Sequence, residues 1–337
     1  FLGSFMINSI NQIMNLKILI VGLGSIGSRH YKNLHKLGVT QIGVVRTTNK
    51  LHSELDLSKI TIYNDYDMAL QDNYDVVFIC NPTSMHMEYA LKAIEHNSHV
   101  FIEKPLSNNL KSLPRLLRLI NEKNVKVGLG YQMRFHPNLL DIRKWISNQN
   151  IGQIIHVSVN AGEYLPLWHP WEDHKDSYAA KKELGGGVAL TQIHDIDYLT
   201  WIFGKLELIY AQGGNIPSLG TDVEDYISAT LKTSNNAIIH IHIDYLQNPP
   251  SRTMKIIGEH GNIKWDYYQN IAKLTISGEI KEISKVEDTW ERNIMFEEEL
   301  KDFLYAVTNN KEPLSNIHNN LQGLETTLSI KNYIDSK

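Results

Sequence analysis

Residues 16–28 read LKILIVGLGSIGS, and this stretch decides the fold. Its first part, Leu16–Val21, is a short apolar run of the kind expected of a strand buried on both faces of a parallel sheet. Gly22-x-Gly24-x-x-Gly27 follows at once, and Ser28–Leu37 reads as a helix stopped by Gly38. A strand, this glycine turn and a helix in that order form the setting in which the motif holds a dinucleotide. Gly22 permits the tight turn, Gly24 lets a pyrophosphate approach the backbone, and Gly27 allows close helix–strand packing. The helix N-terminus, with Ser25 and Ile26, offers N–H groups and partial positive charge to the phosphates. A glycine-rich turn without a ligand is the alternative.

Outward from this unit the alternation continues. Gln41–Val45, Ile60–Tyr63, Asp75–Cys80, His99–Glu103 and Lys126–Tyr131 read as strands. Helices are expected over Ser84–Glu95 and Asn109–Asn124, the second broken or kinked by Pro114. Strands separated by helices predict a doubly wound parallel sheet. Near Gln132–Pro137 the pattern changes. Gly152–Ala161, Leu206–Gly213, Asp225–Thr233, Ala237–Tyr245, Thr253–Ile257 and Leu274–Ile276 read as strands, mostly in succession. Several alternate with period two, as Ile239, Ile241 and Ile243 do against His240, His242 and Asp244. One long helix, about Gly187–Phe203, interrupts them, and helices of about Asn293–Thr308 and Asn316–Ile334 close the chain. In the first of these, Phe296, Leu300, Phe303 and Leu304 form the apolar stripe, which leaves Glu297-Glu298-Glu299 as a solvated face. The expected class is α/β: an N-terminal doubly wound parallel sheet over 16–132, then an α+β domain over 133–337 with a large, mainly antiparallel open sheet. Residues 1–15 lack the basic start of a signal peptide and are set aside as an extension, a cloning remnant or a small packing segment.

Composition narrows the function. The 337 residues are 42% hydrophobic and 21% charged, which excludes a disordered or coiled-coil chain. A net charge of −4 gives no footprint for nucleic acid. No apolar run approaches the roughly 18 residues that a membrane helix needs. The lone cysteine, Cys80, can form neither an internal disulfide nor a Cys-based zinc site, and a reducing, cytoplasmic compartment is expected. His169, Asp173 and His174 share a loop, but their spacing matches no metal site, so no metal is expected.

The end of the second strand bears on cofactor choice. An acidic residue there would bind the ribose 2′-hydroxyl of NAD, whereas this chain has Arg46, Thr47 and Thr48. The arginine and hydroxyls suit a 2′-phosphate, so NADP is preferred over NAD. Glu103-Lys104-Pro105 ends the fifth strand, at the edge where open α/β sheets bind ligands. A desolvated lysine there can act as a base near neutral pH. A solvated surface lysine is the alternative.

The glycine loop, Asn81-Pro82-Thr83 with His86, Glu103-Lys104-Pro105, and Gly185-Gly186-Gly187 leading to His194 together resemble the Gfo/Idh/MocA oxidoreductases, the glucose–fructose oxidoreductase and inositol dehydrogenase family. Val223-Glu-Asp-Tyr226 and the Gly258–Trp265 stretch extend the likeness over about Lys17–Ile334. The resemblance implies a Rossmann domain, a C-terminal domain with an open sheet used for dimer or tetramer contacts, and NAD(P)-linked oxidation or reduction of a sugar, sugar nucleotide or polyol. It makes Lys104 the catalytic acid/base, assisted by His194, and puts Asn81, Pro82, Thr83, His86, Glu103, Lys104 and Gln132 on the cofactor. Thr191 stands where many members carry an aspartate; a threonine can bond a substrate hydroxyl but cannot take a proton as a carboxylate does. Arg134 could hold a substrate phosphate or carboxylate, or form an interdomain salt bridge. Tyr164, Trp168 and Trp171 could pack on sugar C–H faces, or fold the 164–178 loop on itself. Two rival functions stand beside the dehydrogenase: a redox-neutral glycosidase or eliminase that keeps its NAD, and a non-enzymatic cofactor-binding regulator.

Overall fold

The computed structural model describes residues 11–46, 55, 60–169 and 172–337. The strands are β1 (Lys17–Val21), β2 (Gln41–Val45), β3 (Thr61–Tyr63), β4 (Val76–Ile79), β5 (His99–Glu103), β6 (Val127–Gly130), β7 (Ile154–Gly162), β8 (Leu206–Gly214), β9 (Tyr226–Thr233), β10 (Ile238–Asp244), β11 (Ser251–Gly258), β12 (Gly261–Asp266), β13 (Ile271–Ile276) and β14 (Glu279–Lys285). The helices relevant below are α1 (Ser25–Lys36), α2 (Tyr66–Leu70), α3 (His86–Glu95), α4 (Leu113–Lys123), α5 (Pro137–Ser147), α6 (Val188–Thr191), α7 (His194–Phe203), α8 (Asn293–Thr308) and α9 (Ile317–Asp335). The chain divides into two compact units: residues through Gln132 with Arg292–Asn319, and Met133–Glu291 with Asn320–Lys337.

In the first unit six parallel strands lie in the order β3-β2-β1-β4-β5-β6. β4 is apolar and buried along its whole length and β1 nearly so, as sheets covered on both faces require. The order reverses between β1 and β4, which is where such sheets open a ligand crevice. α1 starts three residues before the expected Ser28, directly on the glycine turn. Pro114 lies in the first turn of α4, where its missing N–H removes no helical bond, so it starts the helix rather than kinking it.

The core of this unit corrects the expected division of the chain. Ile18, Ile20, Phe78 and Phe101 pack with Leu300, Phe303 and Leu304 of α8. Phe78 stacks on Phe101 at 5.0 Å and meets Phe303 edge-on at 6.1 Å. Ser315 exchanges hydrogen bonds with Leu129, extending the contact at β6. The segment Arg292–Asn319, expected in the second domain, is thus part of the first. Ile13 joins the same core, so the end of the set-aside segment packs on it. The apolar stripe of α8 is buried as expected, but Glu299 is buried too, and Glu297 pairs with Lys36 at 2.8 Å. The three glutamates therefore do not form one solvated face.

The second unit holds eight strands in the order β14-β13-β12-β11-β7-β10-β9-β8. All neighbours are antiparallel except β7 and β10. Ile239, Ile241 and Ile243 face the core, as their alternation predicts. β12 and β14 were not anticipated; β14 is an edge strand, mostly exposed, whose charged sequence carries no one-sided apolar pattern. The long helix expected over Gly187–Phe203 is two helices. Gln192 leaves helical geometry (φ −102°, ψ 31°), and α7 begins at His194.

His136 caps α5 by accepting the Asn138 N–H at Nδ1 (3.2 Å), and its ring packs among Trp265, Tyr267 and Trp290. Burial lowers its pKa from 6.5 to about 4. The imidazole stays neutral in the folded state, while the unfolded chain takes up a proton near its ordinary pKa. Its contribution is therefore complete above pH 6.5 and is lost as pH falls toward about 4. The change amounts to about 3 kcal/mol at most. Urea unfolding across this window should show that pH slope in the native chain and a flatter one in His136→Asn, which can still cap; equal slopes would disprove the assignment.

Candidate active site

The turn between β1 and α1 carries the first group of residues. Gly22 has φ +91° and donates its N–H to the Val45 carbonyl at 2.9 Å, a conformation that L side chains resist. A Cβ on Gly27 would lie 1.9 Å from the Gly22 carbonyl oxygen, so α1 approaches the turn only with glycine there. A Cβ on Gly24 would meet nothing within 4 Å, and no side chain caps the α1 N-terminus. Across the switch point, both amide atoms of Asn81 are buried without a hydrogen-bond partner among the described residues. Open space at Gly24, an uncapped helix start and an orphaned amide fit a phosphate-bearing dinucleotide. Ser25 is exposed beside Gly24, and Ile26 is half-buried. Arg46 follows β2 and donates its backbone N–H to Tyr63 O at 3.0 Å. Thr47 and Trp171 lie outside the described residues.

Lys104 leaves the carboxyl end of β5, partly exposed, through a cis bond to Pro105. Its N–H donates to Glu103 Oε2 at 3.3 Å. Glu103 is buried and its Oε1 lies 2.6 Å from His30 Nε2. His86, expected on the cofactor, is buried, with Nδ1 2.8 Å from the Pro105 carbonyl and Nε2 2.8 Å from that of Asn81. It braces two loops of the crevice instead. Burial lowers its pKa, against the opposing pull of the two carbonyls and Glu103. Pro82 caps the short turn Thr83–Met85, and Thr83 is buried within it. Gln132 is buried just beyond β6.

The second unit carries the other group. His194 is buried at the first position of α7. The carboxylates that follow it are internal struts. Asp195 accepts from Tyr198 at 2.8 Å and from Arg252 at 3.1 and 3.2 Å. Asp197 accepts a bidentate pair from Arg134 at 2.9 and 2.7 Å. Arg134 and Asp197 are both 0% exposed, which corrects the expectation that Arg134 faces substrate: its fork holds α7. Thr191 is buried, bonded through Oγ1 to the Gly187 carbonyl and to the Tyr245 hydroxyl. Trp168 packs edge-on against Tyr245 at 5.3 Å, and its Nε1 has no hydrogen-bond partner among the described residues. Tyr245, which the sequence marks only as the end of a strand, thus joins the 164–178 loop to α6. Tyr164 is half-buried at the start of that loop, where Leu165 N–H bonds the Tyr245 carbonyl at 3.1 Å. A groove of about 750 Å³ lies on the same unit's sheet, lined by Ser158, His240, Lys255 and Lys264; none of the candidate residues lines it. Among the described residues no three His, Cys, Asp or Glu side chains could hold a metal, and no helix is long and apolar enough to cross a membrane.

Residues 16–131 match the oxidoreductase family with an NAD-binding Rossmann fold, and 139–264 match the GFO/IDH/MocA C-terminal domain. Myo-inositol 2-dehydrogenase of Thermotoga maritima is 28% identical over 204 residues, 59% of this chain and 58% of that protein. 2,7-anhydro-N-acetylneuraminate hydratase of Mediterraneibacter gnavus is 25% identical over 270 residues, 77% of this chain and 69% of that protein. With the first curated relatives, the match spans little more than half of their length. A solved levoglucosan dehydrogenase in complex with NADH and levoglucosan shares the fold, with a TM-score of 0.82 over 95% of this chain and 97% of that one at 16% identity. With both domain models matched in order along one chain, the protein belongs to the Gfo/Idh/MocA oxidoreductase family.

Proposed function

We propose that the chain is an NAD(P)-dependent oxidoreductase acting on a secondary hydroxyl or keto carbon of a sugar, sugar nucleotide or polyol. The observation that carries this reading is Lys104, presented at the carboxyl end of β5 with its peptide anchored by Glu103 and the next carbonyl by His86. The dehydrogenase names of relatives acting on inositol and levoglucosan support the substrate class. Gly22, Gly24, Ser25, Ile26 and Gly27 would hold the pyrophosphate, and Asn81, Pro82, Thr83 and Gln132 the nicotinamide side. When bound, the nicotinamide accepts or supplies the hydride. In oxidation, Lys104 Nζ takes the hydroxyl proton, and its positive charge then stabilises the developing carbonyl oxygen. His194, an imidazole at the start of α7, serves as the second proton carrier. Reduction runs the same proton steps backwards. The test is a screen of sugars, polyols and sugar nucleotides for a change in reduced nicotinamide; net turnover with one class is expected, and none with any would reject the reading.

Arg46 makes NADP the preferred form in this proposal. NADPH should bind about tenfold tighter than NADH, and Arg46→Ala should remove that difference, about 1.4 kcal/mol. Fluorescence titration decides it, and equal affinities in the native chain would remove the preference. A second reading is favoured by the hydratase names of two relatives. In it the protein keeps NAD bound and catalyses a redox-neutral addition or elimination. Firmly retained NAD and substrate conversion without net cofactor change would select it.

A further inference from the structure

We propose that His30, acting through Glu103, is a positioning residue for Lys104; this rests on Lys104 being the acid/base of the proposed reaction. His30 lies in α1, the helix whose start meets the glycine turn, while Glu103 immediately precedes Lys104. The carboxylate has one oxygen on His30 Nε2 and the other on the Lys104 N–H. Gly130 of β6 makes room for it, since a Cβ there would fall 2.8 Å from Oε2. The His30 ring is boxed between Phe78 at 5.4 Å and Phe101 at 5.2 Å, and its Nδ1 has no hydrogen-bond partner among the described residues. A neutral ring with its proton on Nε2 satisfies this arrangement: the one donor meets the carboxylate and the bare Nδ1 faces apolar surroundings.

The pair costs stability to keep, because well-packed apolar side chains in its place would be about as stable or more so. Its location gives a reason for keeping it. One buried carboxylate ties the glycine-turn helix to the Lys104 peptide, and His86 secures the next carbonyl on the other side. Charged and titratable groups that face Glu103 are Arg29 and His30 of α1, Cys80 after β4 and His86 of α3, while Lys104 meets it through its backbone N–H. Arg29 in turn faces Arg292. The negative charge beside Lys104 favours its ammonium form, so its removal should make the amine easier to deprotonate.

The experiment uses the full chain with NAD present. Acetylation of Lys104 by acetic anhydride is followed against pH by peptide mass spectrometry, and amide hydrogen exchange is followed at the same segment. Glu103→Gln keeps a partner for His30 but removes the charge, and should lower the midpoint of Lys104 acetylation by about one pH unit. His30→Phe keeps the aromatic packing but leaves the carboxylate without its donor. It should speed exchange at Lys104 and lower kcat, each by about tenfold, with dinucleotide Kd within about threefold. Native midpoints and exchange rates in both folded variants would overturn the proposal. If His30→Phe does not fold, the Glu103→Gln midpoint decides alone. Full turnover by Lys104→Ala would reject Lys104 as the acid/base instead, while labelling of the other variants still tests the link from Glu103 to the lysine.

Discussion

Lys104→Ala should lower turnover by about 10²–10⁴-fold, the range that a positioned acid or base contributes. Dinucleotide affinity should stay within a few-fold of native. The separation follows from how the lysine is held. Its backbone N–H to Glu103 and the Pro105 carbonyl to His86 are main-chain contacts that alanine retains. The glycine turn and Asn81 come from other strands and keep their geometry. Steady-state rates and NADPH fluorescence titration on the same preparation make the comparison. A variant with native turnover would move the proton to another group, His194 first.

Asp197→Ala should cost about 3–5 kcal/mol of stability, because it removes the bidentate carboxylate from the buried Arg134 guanidinium. Arg134 is the largest fully buried side chain among the described residues, and both of its bonds to Asp197 are under 3 Å. The Trp201 ring, 5.7 Å from its guanidinium, cannot replace a carboxylate, since Arg143 lies over it as well at 4.5 Å. Replacing both partners, Arg134→Met with Asp197→Leu, should recover most of the loss. Urea unfolding measures all three proteins. A single variant within about 1 kcal/mol of native would mean that water reaches the arginine.

The sequence was most legible where one short stretch determines its own structure. The β1–α1 turn needs only its glycines, and β1, β4 and β5 declare themselves as unbroken apolar runs. Reading failed where the deciding partner is far along the chain. His30 meets Glu103 across 73 residues and Thr191 meets Tyr245 across 54, so neither pair leaves a local pattern. Arg134 looked like a ligand residue because Asp197, 63 residues on, could not be placed against it. The break at Gln192 was hidden because the residues on both sides form helix, and only geometry separates α6 from α7. Pro114 was misjudged by a few residues: the expected helix began too early, so a starting proline looked like an interrupting one.

The return of α8 to the first unit sets an order on biosynthesis. A ribosome that has released the chain through Gln132 has delivered every strand of the parallel sheet but none of Leu300, Phe303 or Leu304. Phe78 and Phe101 then wait without Phe303 while the whole of Met133–Glu291 is translated. Exposed apolar surface of this kind is what chaperones bind and what drives nascent chains together. A gene fragment ending at Gln132 would make that interval permanent, so an autonomous dinucleotide-binding module must carry Arg292–Asn319 joined back to it.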